Sequence, residues 1–204
     1  MMPKLITTIA LAIAAVGAAR SADPVVGARA PDFRATDTHG GARSLSAYKG
    51  KWVVLEWFSH ACPYTAKQYN SGNMQRLQRT YTARGVIWLS VVSSAPAHEG
   101  YTTSEGANRL TDEKHAAPTA VLRDTAGALG HLYGARNTPQ LFVIDPAGML
   151  RYAGAIDDKR TADTADVRGA HNYLAAALDE AMAGKTVTTP VTQPYGCTVQ
   201  YAAP

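Results

Sequence analysis

The stretch Lys51–Thr65, KWVVLEWFSHACPYT, decides how this chain is read. Trp52 to Phe58 is an apolar run rich in β-branched and aromatic residues. It is too short to span a membrane and fits a central strand buried on both faces. Cys62 is followed directly by Pro63. Proline suits the first turn of a helix, because its φ is preset and the amide it lacks had no intrahelical partner. The pattern therefore predicts strand, loop and helix, with Cys62 at the helix N-terminus. Unpaired amides and the helix dipole favour an anion there, and the thiolate is the reactive form of cysteine.

Working outward, Val25 to Lys51 carries turn signals at Pro31, Asp37–Gly41 and Lys49-Gly50, which predict a β-hairpin leading into the core. After Pro63, Met74, Leu77 and Tyr81 fall at helical spacing, with Asn70-Ser71-Gly72 placed to bend or interrupt the helix and Gly85 to end it. Val86–Ser93 reads as a second buried strand, Thr103 or Ser104 as the cap of a helix running towards His115, and Thr119–Arg123 as a short strand. A brief helix over Gly127–Tyr133, closed by Gly134, precedes Thr138-Pro139. Asp145-Pro146-Ala147-Gly148 is a turn between two strands. A last helix is expected over Val167–Ala183, with Ala170, Leu174, Leu178 and Met182 on one face and Gly184 as its cap. Strands and helices alternating in this way predict an α/β domain built on one central mixed sheet flanked by helices.

The chain has 204 residues, enough for one domain with a substantial core, and its formal net charge is +4. Lys and Arg are scattered without a basic stripe interleaved with aromatics, which argues against a nucleic-acid partner. Residues 1–22 carry Lys4, an apolar run from Leu5 to Val16 and small residues at 17–19. This is the pattern of a secretory signal peptide cleaved near 19–22, which leaves no stable membrane span and places the mature protein in the periplasm or otherwise outside the cytoplasm. The expected division is 1–22 leader, 23–184 folded domain and 185–204 an irregular Thr- and Pro-containing tail that holds Cys197. The six histidines show no ligand spacing with Cys or acidic residues, and no glycine-rich phosphate loop or serine-hydrolase elbow is present, so neither metal nor cofactor is expected.

The segment from Lys51 to Thr65 resembles the thioredoxin superfamily, with Cys62 matching the first cysteine of its Cys-x-x-Cys motif and Thr65 standing where the second would be. Glu56, six residues before Cys62, matches a buried acid of thioredoxins, and Thr138-Pro139 resembles their cis-proline loop. Gln140–Gly154, QLFVIDPAGMLRYAG, resembles the strand, turn and strand that close redoxin domains of the alkyl hydroperoxide reductase/thiol-specific antioxidant (peroxiredoxin-like) and cytochrome-maturation types. The similarity covers about Val26 to Gly184. It implies a thioredoxin-like fold and a thiol-disulfide oxidoreductase or antioxidant redoxin, whose partner is a protein dithiol or disulfide or a small hydroperoxide.

Under that resemblance Cys62 is the nucleophile. Thr65 cannot release a mixed disulfide, so Cys197 becomes the candidate resolving cysteine, either within the chain or across a dimer. Glu56, buried in an apolar strand, should have a raised pKa and could carry the proton of a departing thiol. Pro139 and Thr138, with Pro63 and Tyr64, are expected to shape the substrate groove. Ser59 stands where peroxiredoxins carry a threonine that orients peroxide, although Leu55 replaces the proline of that pattern. Arg123 is a candidate cation for thiolate and peroxide, with a solvated surface arginine as its plainer reading. His60, two residues from Cys62, could act on it electrostatically, with a surface histidine as its plainer reading. A non-catalytic binding module with a structural Cys62–Cys197 disulfide is the reading from another class.

Overall fold

The computed structural model describes residues 23–202; the leader assigned to 1–22 lies outside them. Among the described residues nine strands form a seven-stranded mixed sheet and a small two-stranded one. The central strand β3 (Val53–Trp57) is buried at every residue, as its unbroken apolar run requires. It pairs in parallel with β4 (Ile87–Val92) and antiparallel with β7 (Gln140–Ile144). Outward on one side lie parallel β5 (Ala120–Arg123) and the antiparallel hairpin β1 (Arg34–Asp37) and β2 (Ala42–Ser44); on the other lies β8 (Leu150–Gly154). The hairpin, the strand-turn-strand over 140–154 and the mixed sheet are those expected from the sequence.

Alternation along β3 divides the core. Val53, Leu55 and Trp57 face a cluster with Phe33, Leu129, Tyr133 and Phe142. Val54 faces the opposite cluster with Tyr69, Met74, Leu77, Trp88, Leu174 and Leu178. Each fully buried aliphatic side chain contributes about 1.5–3 kcal/mol. That second layer consists of α1 (Pro63–Asn70), α2 (Asn73–Thr82) and α5 (Tyr173–Met182). The expected interruption at 70–72 is real: Gly72 caps α2 at φ +74°, a left-handed conformation that only glycine takes without strain. Helix α3 (Ser104–Glu113) starts from the Thr103 hydroxyl, which accepts from the Gly106 amide at 3.1 Å.

The last helix corrects the sequence reading. It was expected from Val167, but Thr164–Gly169 is a turn of 3-10 helix and Ala170 is extended. Helix α5 begins only where the Asn172 side chain accepts the Ala175 amide at 2.8 Å. Leu174 and Leu178 are fully buried as the pattern implied, whereas Ala170 and Met182 are only partly covered. The helix α4 (Ala128–Tyr133) precedes β6 (Asn137–Thr138), and Thr138-Pro139 is a cis peptide.

Glu56 is the one charge-bearing residue in β3 and is fully enclosed. Burial pushes its carboxyl up, against four donors: Trp88 Nε1 at 2.7 Å, Ser90 Oγ at 3.0 Å and Gln78 Nε2 at 3.1 Å on Oε2, and the Tyr69 hydroxyl at 2.7 Å on Oε1. A carboxyl whose pKa is raised in the folded state contributes stability below its unfolded pKa, and that contribution is lost as pH rises. Glu56→Gln preserves the shape, and Tyr69 can turn to accept from the new amide. The variant is therefore expected to gain on the parent above the ordinary value of 4.5, by up to about 1.4 kcal/mol per pH unit. Urea titrations at pH 4, 5.5 and 7 check this; a constant difference between the two proteins would refute it.

Candidate functional site

The loop after β3 turns back on itself, with the Cys62 amide donating to the Ser59 carbonyl at 3.2 Å, and delivers Cys62 to the N-cap of α1 with Pro63 in its first turn. The Cys62 side chain is 1% exposed, and its sulfur donates to the Thr138 carbonyl at 3.0 Å. Cys197 reaches the same place from the far end of the chain. The tail does not hang free: Thr192 takes the Ala155 amide on its hydroxyl at 2.8 Å, and β9 (Cys197–Thr198) pairs antiparallel with β6, Cys197 opposite Thr138. Both cysteines are free thiols.

Their proton affinities are pulled apart. Burial pushes the Cys62 thiol up, but hydrogen bonding from the Cys197 thiol and the Thr65 amide helps to outweigh it and hold Cys62 below the ordinary thiol value. The Thr138 carbonyl accepts only from the protonated sulfur and so works against this, yet the net direction is downward. Cys197 is pushed up to about 12 by burial, by its hydrogen bond to Cys62 and by the negative charge there. Cys62 thus gives up its proton more readily than Cys197 does.

Ser59, Cys62, Thr138 and Cys197 line a cavity of about 70 Å³ together with Ala61, Ser94, Glu99 and Gln200. It has room for a few water-sized molecules. Ser94 and Glu99 were not singled out in the sequence, because they follow β4 in a loop with no motif. Gly100 packs so close to the Ser59 and Ser94 hydroxyls that a methyl there would strike both. Pro63 is exposed at the start of α1, and Pro139 is buried behind Thr138. The Thr65 hydroxyl is buried without a partner. Tyr64 turns away from the cavity and packs edge-on against Tyr195, ring centres 5.9 Å apart.

Three expected residues are not brought to the sulfur. The four donors to Glu56 do not include Cys62, so the structure does not place this carboxyl in contact with the thiol. Arg123 lies outside the cavity lining and points its guanidinium at the Ser104 hydroxyl (3.5 Å) and Tyr101 hydroxyl (3.4 Å) beside α3. The strand alternation explains this: Arg123 and Val121 leave β5 on the same side, towards α3. His60 is exposed on the loop. Among the described residues no three metal-ligating side chains gather at one point, and no helix is long and apolar enough to cross a membrane.

A cysteine-proline helix start under a cis-proline loop, on this sheet, defines a thioredoxin-like redoxin. The chain belongs to the AhpC/TSA family, whose model matches residues 26–153. Peroxiredoxin 2 of Caldanaerobacter subterraneus subsp. tengcongensis is 30% identical over 145 residues, which are 67% of this chain and 58% of that relative. The chain thus spans less than two thirds of the relative's length. A hypothetical protein from Sinorhizobium meliloti 1021 has the same fold, with a TM-score of 0.74 at 23% identity, over 90% of this chain and 98% of that one. The thioredoxin domain of a thiol-disulfide oxidoreductase from Bacteroides vulgatus gives 0.50 at 18%, over 71% and 96%.

Proposed function

We propose that this protein is a thiol oxidoreductase in which Cys62 is the nucleophile and Cys197, on the same chain, resolves the oxidised intermediate. The observation that carries the reading is the meeting of the two thiols at Thr138, to whose carbonyl Cys62 donates and opposite which β9 places Cys197, in the wall of one small cavity and with opposed proton affinities. The downward shift at Cys62 favours its thiolate, and Cys197 lines the same small cavity. Membership of the AhpC/TSA family supports thiol redox chemistry of this general kind. Action outside the cytoplasm forms part of the proposal through the reading of residues 1–22, and the mature N-terminus of exported material decides that part.

Two oxidants are open to such a site, a protein disulfide and a hydroperoxide. The second is favoured by the small cavity at a sulfur that is almost fully covered, with the Ser59 hydroxyl in its wall. Stopped-flow mixing of reduced protein with hydrogen peroxide, followed by mass spectrometry, tests both parts. The parent is expected to pass from thiols to a Cys62–Cys197 disulfide. Cys197→Ser is expected to stop at Cys62 sulfenic acid. A parent whose Cys62 stays reduced would move the reading to protein disulfides, and a Cys197→Ser variant that cycles like the parent with an added dithiol would remove Cys197 from its role.

A further inference from the structure

Beneath the tail lies a buried polar cluster with no part in the chemistry described above. Lys67 in α1 has a fully buried ammonium, 3.6 Å from Asp157 Oδ1 and donating to the Lys159 carbonyl at 2.5 Å. Asp157 also accepts from Gln68 Nε2 at 2.6 Å, from the Lys159 amide at 2.9 Å and from the Tyr195 hydroxyl at 2.5 Å. The Tyr195 ring stands under Lys67 Nζ, 5.6 Å from it, and edge-on to Tyr64. A buried charge is tolerated only when paired and hydrogen-bonded, so each member holds the others in place. Tyr195 is two residues from Cys197.

We infer that Lys67, Asp157 and Tyr195 are positioning residues that hold Cys197 against Cys62 and so set how readily the two sulfurs join. The inference rests on the thiol-redox reading of Cys62. Between anchor and sulfur is Gly196 at φ +123°, whose carbonyl accepts from Asn137 Nδ2 at 3.1 Å and whose Cα leaves no room for a methyl beside the Thr138 carbonyl oxygen. Beyond the sulfur, the Val199 amide donates to the Arg136 carbonyl and the Ala95 amide to the Gln200 carbonyl, both at 2.9 Å. Cys197 therefore sits on a short span fastened at both ends. At roughly 3.5 Å per residue, a sulfur two residues from Tyr195 has little freedom to wander. Released from the anchor, the same cysteine would be tethered by a flexible segment at an effective concentration of about the millimolar range. Fixed geometry raises that figure by orders of magnitude.

The step served is balanced as follows. The Cys62 thiolate attacks the outer oxygen of a hydroperoxide, the O–O bond breaks to give sulfenic acid, and the leaving alkoxide or hydroxide takes a proton from solvent, the equivalent of the one Cys62 had lost, to depart as the alcohol or water. The Cys197 sulfur then attacks the Cys62 sulfur, the S–O bond breaks, and hydroxide departs with the Cys197 proton as water. Oxidation of Cys62 also removes the negative charge that opposes ionisation of Cys197, so the attacking thiol is freed at the moment it is needed.

The test is titration of the Cys62–Cys197 pair in glutathione redox buffers, read by mass spectrometry, for the parent, Tyr195→Phe and Gly196→Ala. Tyr195→Phe loses only the hydroxyl, which donates to Asp157 and accepts from Lys67 Nζ at 3.5 Å, while Gly196→Ala displaces the tail without touching the buried charges. Each is expected to lower the equilibrium constant for disulfide formation at least tenfold, about 30 mV. In peroxide kinetics each should slow closure while sulfenic acid accumulates and is trapped by dimedone. Thermal melting of the reduced proteins excludes global unfolding as the cause. Parent-like equilibrium constants in both variants would overturn the anchor. A parent Cys62 inert to hydrogen peroxide and to protein disulfides would instead overturn the underlying redox reading, while the Cys62–Cys197 bond formed in the glutathione buffers would still judge the anchor.

Discussion

Cys62→Ser is expected to abolish oxidant-dependent turnover, by roughly 10³-fold or more, because a serine hydroxyl at neutral pH is a poor nucleophile where a thiolate is a strong one. The replacement is nearly isosteric, and the new hydroxyl can keep the hydrogen bond that the sulfur gives to the Thr138 carbonyl. The fold should therefore survive, and the loss belongs to the chemistry. A second readout accompanies it. With no thiolate at position 62, two of the causes that push Cys197 up to about 12 disappear, its hydrogen bond to that sulfur and the charge there. Cys197 should then be alkylated faster in the variant than in the reduced parent at the same pH. Turnover within a few-fold of the parent would show that Cys62 is not the nucleophile.

Lys67→Met should be the most destabilising single change in the polar cluster, at about 3–5 kcal/mol, because it strands the Asp157 carboxylate in the interior without its cation. The methionine fills the space of the lysine stem, so the cost is electrostatic rather than that of a cavity. The exposed pair of Arg84 Nη1 and Asp179 Oδ1, 2.7 Å apart, is the control. Arg84→Ala there is expected to cost no more than about 1 kcal/mol, since solvent screens both partners. Equilibrium urea unfolding of the reduced proteins measures both. Equal and small losses would mean that Lys67 is solvated rather than paired. Because α1 also carries Cys62, this variant should in addition loosen the docked tail.

The strand-loop-helix around Cys62 was legible because every cue in it is local. The apolar run of β3, the proline after the cysteine and the hydroxyl of Thr103 before α3 each act on their own segment. Glu56 was legible as a buried acid for the same reason, since a carboxyl within an unbroken apolar strand has nowhere else to go. The start of α5 was misread because the period of Ala170 and Leu174 outweighed Asn172, whose side chain captures the Ala175 amide and begins the helix there. Arg123 was a candidate for the thiol by residue type alone, beside its plainer reading as a surface arginine. Which side of β5 it leaves depends on strand pairing, and pairing is not written in a short window.

What the amino-acid sequence alone determined is the alternating α/β frame and the place of Cys62 at a helix N-terminus, because periodicity, capping and proline chemistry operate within a few residues. What only the tertiary structure decided is where the other cysteine goes. Cys197 lies 135 positions downstream in a segment without periodicity, and its place beside Cys62 follows from the pairing of β9 with β6 and from Tyr195 reaching a buried Lys67–Asp157 pair. Those contacts join residues from α1, the loop after β8 and the tail. Their free energy comes from mutual hydrogen bonds and charge pairing that offset the cost of taking each group out of water, and no local stretch of sequence carries that information.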